Sequence, residues 1–121
     1  MKKNHFLFAL CAVLLTAFAV TGKTFIGHWK VAWGNGSKGH VVFRKDGTAE
    51  ATFDGETWKV GGPYKVEGNT VSIADSSCGL TYWASYTAHW FSDDSVRMTI
   101  IEDTCTGRKA DVDGSVMVRE K

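Results

Sequence analysis

The chain has 121 residues, a formal net charge of +1, 44% hydrophobic residues and 13 glycines, enough for one globular domain and too apolar for a disordered chain. If residues 1–22 are removed as a leader, Lys2 and Lys3 go with them and the balance becomes −1, twelve basic against thirteen acidic side chains. Such a balance, with basic residues scattered mostly one at a time, excludes the electrostatic footprint of a nucleic-acid or anionic-lipid binder.

The first 22 residues read as a secretory signal peptide. Lys2-Lys3 form a positive start, Phe6 to Val20 carries no charge, and Ala17-Phe18-Ala19 places small residues where a signal peptidase cleaves, after Ala19 or Gly22. The apolar run is short for a membrane span. A lipid anchor on Cys11 is disfavoured, because Leu10 is larger than a lipobox accepts and the cysteine sits inside the apolar run. The expected product is a secreted or periplasmic protein, residues 23–121, with no membrane insertion after cleavage. About a hundred residues is near the lower limit for a self-sufficient core.

From the start of this region, Trp29, Val31 and Trp33 share one parity and His28 and Lys30 the other, which predicts a strand with its indoles inward. Gly34 to Gly39 holds three glycines and no apolar side chain, a loop. The stretch from His40 to Ala74 is a predicted meander. Val41 and Phe43 face in; Asp46-Gly47 reads as a two-residue primed turn; Ala49, Ala51 and Phe53 return on the same face, and Asp54-Gly55 turns again. Trp58 and Val60 make a short inward-facing strand ended by Gly61-Gly62-Pro63, since proline cannot donate to a ladder. Tyr64 and Val66, a turn at Glu67-Gly68-Asn69, then Val71 and Ile73 follow. Leu80 to Phe91 reads as one long strand with Leu80, Tyr82, Ala84, Tyr86, Ala88 and Trp90 on its inner face. After Ser92-Asp93-Asp94 the chain returns through Val96, Met98 and Ile100, and a last strand puts Ala110, Val112, Val116 and Val118 on one face, with a bulge at Gly114.

No apolar period of 3.6 is sustained after the leader, so no helix is expected. The fold class is all-β: a small antiparallel up-and-down β-barrel of about eight strands, which removes both edges, with a two-sheet sandwich as the alternative. Cys78 and Cys105 flank the longest strand pair and are expected to form a disulfide.

Gly27-x-Trp29 on the first strand of a small exported all-β chain resembles the opening of the lipocalin and avidin-like (calycin) superfamily, and the hairpin order is similar to theirs. The chain looks like a small bacterial lipocalin-like secreted protein. The resemblance implies that Trp29 closes the barrel base beside Gly27, under an arginine from the last strand. Arg108 or Arg119 could supply it, and Arg108 in Cys105-Thr106-Gly107-Arg108 is favoured. It also implies a small apolar ligand inside the barrel, or protease inhibition from its rim.

Catalytic signatures are absent from the sequence. Asp93-Asp94 and Glu102-Asp103 are adjacent pairs whose side chains diverge, and read as solvated turns; Arg108-Lys109 reads as a solvated strand end. His28, His40 and His89 fall on outward parities, and two cysteines without a spaced histidine do not make a zinc site. The expectation is a non-enzymatic protein without cofactor or metal. The aromatic inward set, interspersed with Ala49, Ala51, Ala84 and Ala88, predicts a cavity for an apolar or aromatic molecule walled by Trp33, Tyr64, Tyr82, Tyr86 and Trp90. Trp83 and Phe91, on the outward parity of the long strand, are the candidate contact for a protein partner, which would make the chain a binding module or an inhibitor of a secreted hydrolase.

Overall fold

Alternation of inward and outward side chains, interrupted by turns every six to fourteen residues, produces eight antiparallel strands. They are β1 (Gly27–Ala32), β2 (Lys38–Phe43), β3 (Thr48–Phe53), β4 (Lys59–Glu67), β5 (Thr70–Asp75), β6 (Gly79–Ser92), β7 (Ser95–Glu102) and β8 (Val116–Arg119). The computed structural model describes residues 23–121, and the proposed signal peptide lies outside them. Each strand pairs with the next in sequence, and β1 pairs with β8 through Trp29↔Arg119 to Ala32↔Val116, closing an up-and-down barrel. The sandwich alternative is excluded by that closure.

Burial follows the expected parity on β1, β2 and β7: Trp29, Val31, Val41, Phe43, Val96 and Met98 are buried, and His28, His40 and His89 are exposed. The turn between β2 and β3 differs from expectation. It spans four residues, with the Gly47 N–H donating to the Arg44 carbonyl and positive φ at Gly47 alone, so Asp46 never needs the left-handed conformation that a primed turn demands of both central residues.

Four further expectations are corrected. Gly61-Gly62-Pro63 does not end a strand: β4 runs through it, with Pro63 opposite Thr48. The glycines are needed because β4 lies so close to β5 that a Cβ on Gly62 would sit 2.1 Å from the Ala74 carbonyl oxygen. Trp58 precedes β4 and is half exposed, tilted against Phe53 with its Nε1–H donating to Glu56. Val66 and Leu80, at strand ends beyond the interior, are exposed.

The fourth correction is a helix, α1 (Thr106–Val112), between β7 and β8. Asp103 starts it by accepting the Cys105 backbone N–H at 2.9 Å, an Asx-type turn, and the positive φ at Gly114 turns the chain out into β8. Helical spacing brings Arg108 and Val112, four residues apart, onto the inner face. It also resets the phase of β8, where Met117 is buried and Val118 is half exposed, so the single face drawn through Ala110, Val112, Val116 and Val118 does not exist.

The disulfide joins Cys78 to Cys105, but its setting is the junction between the β5–β6 turn and the start of α1. Among the described residues no helix is long and apolar enough to cross a membrane.

Candidate functional site

The two ends of the barrel hold different chemistry. At the base, Trp29 is fully buried, and its Nε1–H donates to the Phe25 carbonyl at 2.8 Å. Phe25 contacts Trp90 and Phe43 at ring separations of 4.8 and 5.3 Å, and Tyr64 meets Phe43 edge-on. The guanidinium over Trp29, 4.3 Å from the ring, belongs to Arg119 and not to Arg108. Arg119 follows because β8 pairs it with Trp29 across the seam, whereas Arg108 sits on α1 at the other end. Arg119 donates to the Thr24, Ile26 and Asp93 carbonyls and to the Asp94 carboxylate, tying the chain before β1 to the β6–β7 turn. The arrangement implied by the calycin resemblance, a first-strand Trp beside Gly27 under a last-strand Arg, is therefore present at a different arginine.

At the opposite, helix end, Arg108 is buried and forked onto Asp103, with Nε–Oδ2 2.9 Å and Nη2–Oδ1 3.3 Å. Its Nη1 lies 3.4 Å from Asp75 and makes no hydrogen bond. The Tyr86 hydroxyl donates to Asp103, and burial, then that bond, push the phenol well above its usual range. Burial opposes ionisation of Asp103, but the hydrogen bonds from Arg108, Tyr86 and the Cys105 N–H outweigh it and hold the carboxyl below its ordinary value. The Tyr82 ring packs against Arg108, and its hydroxyl bonds to Thr104 and accepts the Thr104 N–H at 2.9 Å. Asp103 and Arg108, read from sequence as solvated, are the ionic core of this end, a pairing that neighbours in sequence cannot reveal.

Below this cluster the barrel holds a cavity of about 70 Å³, partly open to solvent. Its walls come from Trp33 on the β1–β2 turn, from Val41, Ala49, Ala51 and Ile73 on β2, β3 and β5, and from Met98, Val112 and Met117 on β7, α1 and β8. The Trp33 indole is stacked on Phe53 at 4.8 Å, and Phe53 meets the Trp58 ring at a tilt at 4.7 Å, so three rings in contact run from the wall to the surface. Trp33 Nε1–H is buried and has no acceptor.

Of the five residues expected to wall a ligand site, only Trp33 does so. Tyr64 and Trp90 belong to the base cluster, with the Tyr64 hydroxyl donating to the Arg44 carbonyl. Tyr82 and Tyr86 face the ionic cluster, where both hydroxyls are engaged. Ala49 and Ala51 do line the space, as small residues on an inward parity should, and Ala84 and Ala88 are packed solid. The contributions missed were Met117 and Ser115, whose phase follows from the helix before them, and Asp75, whose inward turn accompanies a bulge between Ile73 and Asp75.

Trp83 and Phe91 do not form one patch: eight residues of strand separate them by about 26 Å. Lys65 lies over Trp83 at 4.3 Å, and Arg97 over Phe91 at 5.6 Å.

No protein-family model matches the chain, and no curated protein matches it. Among solved structures, it is similar to a crystal structure of a lipocalin-like protein from Bacteroides uniformis, with 16% identity and a TM-score of 0.49 over 79% of this chain and 98% of that one.

Proposed function

We propose that this chain is an exported, non-enzymatic binding protein that holds one small apolar molecule in the cavity at the helix end of its barrel. The observation that carries the reading is an apolar cavity, walled by Trp33, Val41, Ala51, Ile73, Met98 and Met117, inside a closed barrel. The cavity bounds the occupant. About 70 Å³ is roughly half the engineered apolar cavity of about 150 Å³ that admits benzene, so the fit is to a molecule of a few heavy atoms. The leader at residues 1–22 and a disulfide that persists in oxidising compartments support export.

Xenon, an apolar probe with no directional chemistry, tests the cavity directly. Pressurised xenon is expected to shift the methyl resonances of Val41, Ile73, Met98 and Met117, and Ala51→Leu, which fills the space, is expected to abolish those shifts. Unperturbed methyls in the unaltered protein would remove the carrier function.

A further inference from the structure

We infer that Trp58 is a lid: with its turn it folds from the rim onto the opening of the cavity when the cavity is occupied, and it sets how fast an occupant leaves; this rests on the ligand-binding reading above. The opening lies on one side of the barrel. Among the side chains that wall the cavity, Val41, Met98 and Met117 are buried, whereas Ala49, Ala51 and Val60, on β3 and β4, are part exposed. Ala51 pairs with Val60, and the next inward positions toward the rim along the same two segments are Phe53 and Trp58. Their rings meet at 4.7 Å, so Trp58 stands beside the opening with half of its surface in solvent.

The other segments of this rim are pinned to one another. The Gly34 N–H donates to the Asp111 carbonyl at 2.7 Å and Asn35 Nδ2 to the Asp111 carboxylate at 2.8 Å, joining the β1–β2 turn to α1. Cys78–Cys105 joins the β5–β6 turn to the start of the same helix. Among the described residues, no hydrogen bond or ion pair runs from Gly55–Trp58 to another segment of the rim. The Glu56 N–H donates to the Phe53 carbonyl at 3.0 Å and Trp58 Nε1–H to Glu56 at 3.0 Å, both inside the turn, and Gly55 has open space around it. The β3–β4 turn is therefore the compliant side of the rim, next to the opening. A large apolar ring left half exposed at the edge of an apolar cavity is surface that closure over an occupant would take out of water.

Xenon loading followed by NMR tests the lid separately from the cavity. The Val41 and Ile73 methyls report occupancy, and the Trp58 indole N–H, assigned by its loss in Trp58→Phe, reports the lid. In the loaded protein that N–H is expected to shift and to exchange with water severalfold more slowly, and both changes are expected to vanish in Ala51→Leu. Xenon saturation transfer gives the exit rate. Exit is expected to be about tenfold faster from Trp58→Ala, equivalent to about 1.4 kcal/mol off the barrier and within the range of one aromatic contact, and unchanged in Asn35→Ala. Methyl shifts with an unresponsive Trp58 N–H, or an unchanged exit rate from Trp58→Ala, would overturn the lid and leave the cavity reading standing. Silent methyls would overturn both. A Trp58 response that survives Ala51→Leu, or an exit rate raised equally by Asn35→Ala, would also overturn the lid. The indole readout in the unaltered protein decides the question if Trp58→Ala does not fold.

Discussion

At the base, Trp29 is sealed by neighbouring rings and by Arg119, three of whose four acceptors are backbone carbonyls. At the helix end, Arg108 is held by two carboxylates, and a disulfide ties the start of its helix to the β5–β6 turn. The base fills its volume with aromatic side chains and needs few ionic contacts inside. The helix end leaves about 70 Å³ unfilled, so part of the dispersion and burial energy of a packed core is missing there. Its geometry is fixed instead by a covalent link and by directional, charge-assisted bonds. The end that encloses space is thus the one specified by polar and covalent constraints, the combination expected where a site must keep its shape without being packed solid.

The largest expected effects come from breaking each seal at its centre. Trp29→Ala should cost about 3–5 kcal/mol, the scale of a large buried aromatic truncation. Asp103→Ala should cost a similar amount, about 3–5 kcal/mol, because it removes both hydrogen bonds of the buried Arg108 and leaves it only the Asp75 carboxylate, 3.4 Å away and not hydrogen-bonded. Denaturant unfolding measures both. A loss under about 1 kcal/mol at Trp29 would mean that the base does not depend on its plug, and an equally small loss at Asp103 would mean that Arg108 finds water on opening. The two variants separate by location: amide exchange should accelerate first at β1 and β8 for Trp29→Ala, and first at α1 for Asp103→Ala.

How much of this was legible in the sequence differs between the ends in the same way. At the base, alternation places Trp29, Phe43, Tyr64 and Trp90 inward without knowledge of any partner, although it does not tell that Tyr64 and Trp90 pack at the base and not on a ligand wall. The choice between Arg108 and Arg119 was not readable, because it turns on a seven-residue helix that carries Gly107 and is too short to display a period. Without α1, Arg108 falls on a strand end and the phase of β8 slips, which hides Ser115 and Met117 from the cavity wall. The ionic cluster was hidden for a separate reason. Asp75, Asp103, Arg108 and Tyr86 meet only when β5, β6 and the β7–α1 turn are brought together, and sequence adjacency groups Asp103 with Glu102 instead.

A smaller effect distinguishes the covalent from the ionic constraint. A Cys78→Ser, Cys105→Ser double variant should lose about 3.5 kcal/mol on the chain-entropy estimate for a loop with a sequence separation of 27, and the accelerated exchange should concentrate in the β5–β6 turn and α1. Uniform acceleration including Trp29 and its neighbours would show that the ends do not behave as separate units. At the base, Arg119→Lys keeps the charge and loses the planar fork that reaches three carbonyls, and should cost about 1–2 kcal/mol. An unchanged midpoint would reduce Arg119 to a surface residue above Trp29.

The smallest effect expected is a difference in acid sensitivity. Asp103 has its folded-state pKa lowered from an ordinary value of 3.8. A carboxyl shifted down binds its proton more readily when unfolded, so its contribution to stability is complete above about pH 4 and is lost as pH falls through the lower folded value. Asp111, on α1, is shifted the other way by burial, so its term favours the fold at low pH and is lost as pH rises through its raised folded value. The two oppose each other, one before α1 and one on it, but over different intervals: the Asp111 term acts above the ordinary carboxyl value of 3.8 and the Asp103 term below it, so Asp103 prevails once the pH is well below 3.8. The helix end should therefore loosen as the pH falls below the ordinary carboxyl value of 3.8. Asp103→Asn should flatten the pH dependence of α1 exchange in that acid range while lowering stability at neutral pH, and Asp111→Asn should leave it steep. If α1 and the Trp29 cluster open together along the same acid curve in the unaltered protein, the ionic core at the helix end is not the acid-sensitive element.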